Sequence, residues 1–284
     1  MVLQYLGRGI HHTQQNMPCQ DFILARRLHS GLLVLALSDG AGSAQYAQLA
    51  ARINCGAVVS FFGQLKTEAA FGDFLALPEA EQAQRLLTHC RRAIGERMQR
   101  QRCEKVSAFS ATLLFAVIGH ERVLIGHLGD GGIYCMEGEM LRCSPGENID
   151  GLRNATYFTV SRSAAEHLRL TVLPREGLRG LLLTSDGTSG LFQGGQVPWK
   201  LLQYAAAGKL RTNRGLREAL RQLVQVPMLR MDDWSVLLWT ENPPDTEGEA
   251  VTEPVDMLTE EQEKLLEERT EQENTEQEDV HGTD

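Results

Sequence analysis

Apolar runs closed by acidic turns set the rhythm of this chain. Leu32 to Leu37 is six consecutive apolar residues, broken at once by Ser38-Asp39-Gly40. Such a run, bounded by turn residues, predicts a strand buried on both faces. From Ala44 to Leu65 the apolar positions recur at helical spacing, giving the order strand, acidic turn, helix. A second helix is predicted over Arg85 to Arg102, where Leu86, Leu87, Cys90, Ala93, Ile94 and Met98 repeat every three or four residues. Ala111 to Ile118, Arg122 to Leu128, Ile133 to Met136 and Met140 to Cys143 then read as a strand meander. Their connections are too short for crossovers, which predicts antiparallel pairs. Leu181 to Thr184 leads into Ser185-Asp186-Gly187, helical stretches cover Trp199 to Ala207 and Leu216 to Val224, and Ser235 to Trp239, entered through Asp232-Asp233, is the last core strand. Strands this apolar need cover on both faces, and helices between antiparallel blocks supply it. An α+β sandwich follows, rather than a parallel doubly wound sheet.

Pro243 and Pro244 stop the final strand, and composition turns acidic and polar beyond them. Residues 1–241 are therefore expected to form one folded domain and 242–284 a disordered acidic tail. The net charge of -9 hides this division. From Glu241 to Asp284 there are 17 acidic and two basic residues, a balance of -15, which leaves +6 on residues 1–240. A mildly basic core suits an anionic substrate, but its charge is too weak and diffuse for nucleic acid. Within the tail, Met257, Leu258, Leu265 and Leu266 could share one face of a short helix.

No stretch reaches the roughly 18 apolar residues of a membrane span, and the first ten residues lack the layout of a signal peptide. A soluble, cytoplasmic protein is expected. The six cysteines form no CxxC pair, so zinc ribbons and thioredoxin-type sites find no support and reduced thiols are expected. There is no P-loop, and Gly187-Thr188-Ser189-Gly190 falls one residue short of a nucleophile elbow.

Five carboxylates sit where strands meet turns: Asp21, Asp39, Asp130, Asp186 and Asp233. Each alone has an ordinary explanation, since Asp-Gly is a favoured turn dipeptide. Together, Asp39, Asp186 and Asp233 flank strands that must share one core, which crowds negative charge into one place. Converging carboxylates repel unless a cation joins them. A donor set of oxygen, without His or Cys at metal spacing, favours magnesium or manganese over zinc.

The order Cys19-Gln20-Asp21, Ser38-Asp39-Gly40-Ala41-Gly42, Ser110-Ala111-Thr112, Gly129-Asp130-Gly131, Ser185-Asp186-Gly187 and Asp232-Asp233-Trp234-Ser235 resembles the successive motifs of the protein phosphatase 2C family. The resemblance spans about residues 4–240. It implies a four-layer α-β-β-α sandwich with two central antiparallel sheets and a binuclear Mn2+ or Mg2+ centre between the sheet edges. By that analogy Asp39 bridges two metals, the Gly40 carbonyl completes one, Asp186 and Asp233 hold the other, Asp21 orients water, and Asp130 sits near a weaker third ion. Such a centre activates water to hydrolyse phosphoserine and phosphothreonine on proteins, without a covalent intermediate. Bacterial relatives often act beside a protein kinase, sometimes with a von Willebrand A-type partner.

Two positions depart from the eukaryotic pattern. Gln20 stands where a glutamate reaches the second metal, and Asn16 where an arginine holds phosphate. His12, with Arg8 and His11 nearby, is the favoured substitute, as a donor to phosphate or a general acid. These departures also raise a second reading, a non-catalytic phosphoprotein-binding regulatory module.

Overall fold

The computed structural model describes residues 1–147, 149, 156–192, 194–223 and 232–241. The acidic segment 242–284, and with it the expected tail and its short helix, lies outside the described residues, as does Val224 at the end of the last expected helix. The elements run β1 (Val2–Gly7), α1 (Ile10–Gln14), β2 (Phe22–Arg27), β3 (Leu33–Ser38), α2 (Ala47–Gly63), α3 (Glu68–Leu75), α4 (Glu79–Gln101), β4 (Leu113–Ile118), β5 (Arg122–Leu128), β6 (Gly132–Glu137), β7 (Met140–Ser144), α5 (Ala164–His167), β8 (Arg169–Pro174), β9 (Leu178–Thr184), α6 (Ser189–Phe192), α7 (Gln196–Ala206), α8 (Asn213–Leu223) and β10 (Trp234–Thr240).

The strands form two five-stranded sheets, ordered β1-β10-β9-β6-β7 and β2-β3-β4-β5-β8, with every pair antiparallel. The alternation of side chains along a strand shows why both faces of β3 are apolar. Leu33, Leu35 and Leu37 pack in one cluster with Leu181, Leu183 and Leu237 of the other sheet. Val34 and Ala36 face the opposite way, into a cluster with Val58, Leu86 and Leu87 of α2 and α4. On the far side, Leu182, Val236 and Leu238 meet Leu201, Leu202 and Leu216 of α7 and α8. The result is the expected α+β, four-layer α-β-β-α sandwich.

The expected meander needs correction. β4 and β5 pair as a hairpin and so do β6 and β7, but β5 and β6 lie in different sheets. The link Gly129-Asp130-Gly131 crosses between sheets, with Gly129 at φ 123°, a conformation that favours glycine. A side chain there would also strike Thr112, whose Cβ lies 2.6 Å from the position a Cβ would take.

Candidate active site

Strand register brings the acids together. β2 and β3 pair Phe22 with Ser38, so Asp21 and Asp39, one residue further on each strand, emerge side by side at one edge of the first sheet. In the other sheet β9 and β10 pair Thr184 with Val236, which sends Asp186 and Asp233 out at the matching edge. The Asp39 backbone is pinned: its N–H donates to Thr112 Oγ1 at 2.9 Å and its carbonyl accepts from the Thr112 N–H at 2.8 Å. Buried Asn54 braces the same point through the Thr112 carbonyl at 3.3 Å. Gly40 leaves no space for a side chain, since a Cβ would lie 2.6 Å from the Ala47 carbonyl.

Asp21 is buried, and its Oδ2 accepts from Ser185 Oγ at 2.7 Å and Ser235 Oγ at 2.6 Å. Burial pushes its carboxyl up to about 7, against the pull of these hydroxyls. Burial first, then the neighbouring Asp21 and Asp186, hold Asp39 well above the usual carboxylate range. Asp186 is raised by burial and by Asp232, and burial together with Asp186 pushes Asp130 up to about 6. Asp233 is anchored by the N–H groups of Gly9, 2.8 Å from Oδ1, and Gln20, 2.5 Å from Oδ2.

His12 joins this group, with Nδ1 2.8 Å from Asp233 Oδ2, although out of line for a hydrogen bond. His11 does not join it. It is exposed and meets Gln15 at 2.8 Å. Arg8 turns back on its own loop, donating to Thr13 Oγ1 and the Met17 carbonyl, and Asn16 is exposed with φ 53°. Gln20 is buried, and its side-chain Oε1 has no hydrogen-bond partner.

Five contributors were not anticipated as such. Ser185 and Ser235 lie within recognised motifs, but their grip on Asp21 depends on β9–β10 pairing that sequence does not display. The Gln20 and Gly9 amides are main-chain groups, and no residue type signals them. Asp232 raises Asp186 and Asp130 although its own side chain is exposed.

Among the described residues no three His, Cys, Asp or Glu side chains form a closed cation cage. The acids form a string instead, with Asp21 against Asp39 and Asp39 against Asp186. Asp21 Oδ1 and Asp186 Oδ1 are buried without hydrogen-bond partners. Buried carboxylate oxygens left over in an all-oxygen set, with no lysine or arginine paired to them among the described residues, fit hard divalent cations such as Mn2+ or Mg2+. Beside Asp130 and Ser185 a cleft of about 870 Å³ opens between the β6–β7 edge and α7, walled by Tyr134, Leu141, Phe192 and Trp199.

Known proteins share this architecture. The serine/threonine phosphatase Stp1 from Staphylococcus aureus superposes with TM-score 0.63 at 14% identity, covering 85% of this chain and 94% of that one. The Mycobacterium tuberculosis serine/threonine phosphatase PstP/Ppp gives TM-score 0.59 at 16% identity, over 85% and 98% of the two chains. PppA, described as a key regulatory component of T6SS in Pseudomonas aeruginosa, gives 0.56 at 14%, over 85% and 97%. These likenesses concern the fold. No curated protein matches by sequence. The protein phosphatase 2C family model matches residues 8–226, and the chain belongs to that family. Membership of that family makes the protein a protein phosphatase.

Proposed function

We propose that the protein hydrolyses phosphoserine and phosphothreonine on other proteins with the help of two Mn2+ or Mg2+ ions. Asp39, the Gly40 carbonyl, Asp186 and Asp233 would hold them, with Asp130 beside a weaker third. The observation that carries this reading is the string of buried Asp21 and half-buried Asp39 and Asp186, with orphaned oxygens on Asp21 and Asp186. Bound cations would supply an activated water and neutralise charge on the phosphoryl oxygens.

The chain's own residues do the rest. Asp21, gripped by two serine hydroxyls, has one oxygen left to orient a water. His12, beside Asp233, is the group offered to a phosphoryl oxygen or to the departing serine or threonine oxygen. The cleft next to Asp130 gives the substrate polypeptide an apolar wall to lie against. A kinase that makes the phosphoprotein, and a von Willebrand A-type protein, are the partners this reading suggests. The likeness to PppA supports a regulatory setting.

The test is phosphate release from a phosphothreonine peptide with manganese and with EDTA, together with isothermal titration of manganese into the protein. Turnover and cation binding that both disappear in Asp39→Asn support the reading. Equal turnover in EDTA overturns it.

No helix among the described residues is long and apolar enough to cross a membrane. All six cysteines are free, with Cys55, Cys90 and Cys135 buried and Cys143 exposed.

A further inference from the structure

Away from the acids, on the outer face of the sandwich, a groove of about 510 Å³ runs between α2 and α4. The two helices lie antiparallel: Phe61, late in α2, packs edge-on against His89 in α4, and Ala50 and Ala51, early in α2, share a cluster with Ile94. Leu49, Ile53, Ala57 and Ala93 contribute apolar surface to the groove, and Gly56 and Ser60 keep it open. Four arginines, Arg52, Arg92, Arg97 and Arg100, stand along it against a single carboxylate, Glu96.

Among the described residues none of these arginines has a carboxylate within 4.0 Å. Arg92 is turned against His89 at 3.1 Å, and Arg97 Nε is buried without a hydrogen-bond partner. Burial first, and then Arg92, lower the pKa of His89, with Glu96 pulling the other way. Four cations lining an apolar trough, one of them with an unmet donor, call for an anionic occupant that also carries apolar side chains.

The chain itself contains such a segment. Residues 255–271 hold seven acidic and two basic side chains around Met257, Leu258, Leu265 and Leu266. The chain leaves β10 at the end of the molecule where the groove begins. The Thr240 carbonyl accepts from the Met1 amine at 2.7 Å, and that amine feels the charge of Arg27 at the end of β2. The next residue, Leu28, reaches to 4.0 Å from where a Cβ on Gly63 would stand, and Gln64, which follows, lines the groove. A dozen extended residues span about 40 Å, so the segment reaches the whole groove with chain to spare.

We propose that the groove between α2 and α4 is the docking site of the chain's own acidic segment 255–271, with its leucines and methionine on the apolar floor and its carboxylates against Arg52, Arg92, Arg97 and Arg100. This contact is a docking surface separate from the site of hydrolysis.

The test is limited trypsin digestion of the full-length chain, read by mass spectrometry at Lys264 and Arg269, the two basic residues of the segment. Docked segment resists cleavage, and surface charge pairing fades with salt. Cleavage is therefore expected about fivefold slower at low salt than at high salt, after correction for trypsin's own salt response on an unstructured peptide. Arg92→Glu combined with Arg97→Glu and Arg100→Glu should erase that ratio. Because charge reversal on α4 risks the fold, a second variant changes the other partner: Glu260, Glu261, Glu267 and Glu268, all to Gln, should erase it without touching the folded domain. A ratio unchanged in both variants overturns the proposal. So does loss of protection only in the glutamate variant while a folded arginine variant keeps it, which would seat the segment elsewhere. Protection that rises with protein concentration also overturns it and points to a second copy of the chain.

Discussion

The main-chain N–H of Gln20 lies 2.5 Å from Asp233 Oδ2, joining the segment that leads into β2 of one sheet to the residue just before β10 of the other. The bond uses the backbone, so it survives substitution of the Gln20 side chain by any residue but proline, and among the described residues the Oε1 of that side chain is buried and unpartnered.

Gln20→Glu is therefore expected to keep the fold and add a charge beside the acid string. Cation affinity in oxygen sites follows ligand charge, so the manganese needed for half-maximal activity should fall about tenfold. Without metal the extra carboxylate is repelled, and the protein should lose about 1 to 3 kcal/mol. A manganese titration of activity, with thermal unfolding in EDTA, checks both. Unchanged values in both would place the Gln20 side chain outside the cation site.

Asp39→Asn removes the central charge of the string while preserving side-chain shape. Turnover should fall by at least about a hundredfold, the scale of a lost metal-assisted step. The metal-free variant should unfold at a higher temperature than wild type, because Asp21 and Asp186 no longer face a third carboxylate. Circular dichroism melts in EDTA measure this, and a lower melting temperature would contradict it.

The raised carboxyls give the metal-free protein an inverted pH dependence. Below about pH 4 folded and unfolded chains both hold these protons, and the groups contribute nothing. Above it the unfolded chain releases them, while folded protein keeps them on Asp130 to about 6 and on Asp21 to about 7. The folded form binds more protons across that window, so this contribution to stability falls as pH rises from about 4 to about 7. Melts in EDTA across that range should show a decline that Asp130→Asn makes shallower.

Ser235→Ala removes one of the two hydroxyls on Asp21 Oδ2. Those bonds favour the charged carboxyl, so its pKa should rise further, moving the acid limb of the activity profile to higher pH. A stability loss of about 1 to 2 kcal/mol is expected alongside. Ser235→Thr, which keeps a hydroxyl, should restore the profile more than the stability.

Much of this site was legible because acid-bearing turns follow apolar runs. Asp39 after Leu32 to Leu37, and Asp186 after Leu181 to Thr184, need only that pattern. The sheet hop at Asp130 was not legible, because Gly129-Asp130-Gly131 has the length and composition of a hairpin turn. Which sheet receives β6 is decided by the free edge of β9, far along the chain. β2 was missed because Phe22–Arg27 ends in two arginines, and β8 because Arg169–Pro174 is bounded by charge and proline. His12 was reached by proximity to Asn16, whereas its contact with Asp233 comes from pairing of the first strand with the last.

That pairing of β1 with β10 has a consequence for the timing of synthesis. Gly9 and Gln20 wait for Asp233, and Asp21 waits for Ser235. At ribosomal speeds the 194 residues from Asp39 to Asp233 take roughly 10 to 40 seconds to add. Through that interval β2–β3 pairing can set Asp21 beside Asp39, but Asp233 and Ser235 have not yet joined them. If the proposed function holds, dephosphorylation would wait for the last strand, and a prematurely terminated product would be inert toward phosphoproteins rather than unregulated.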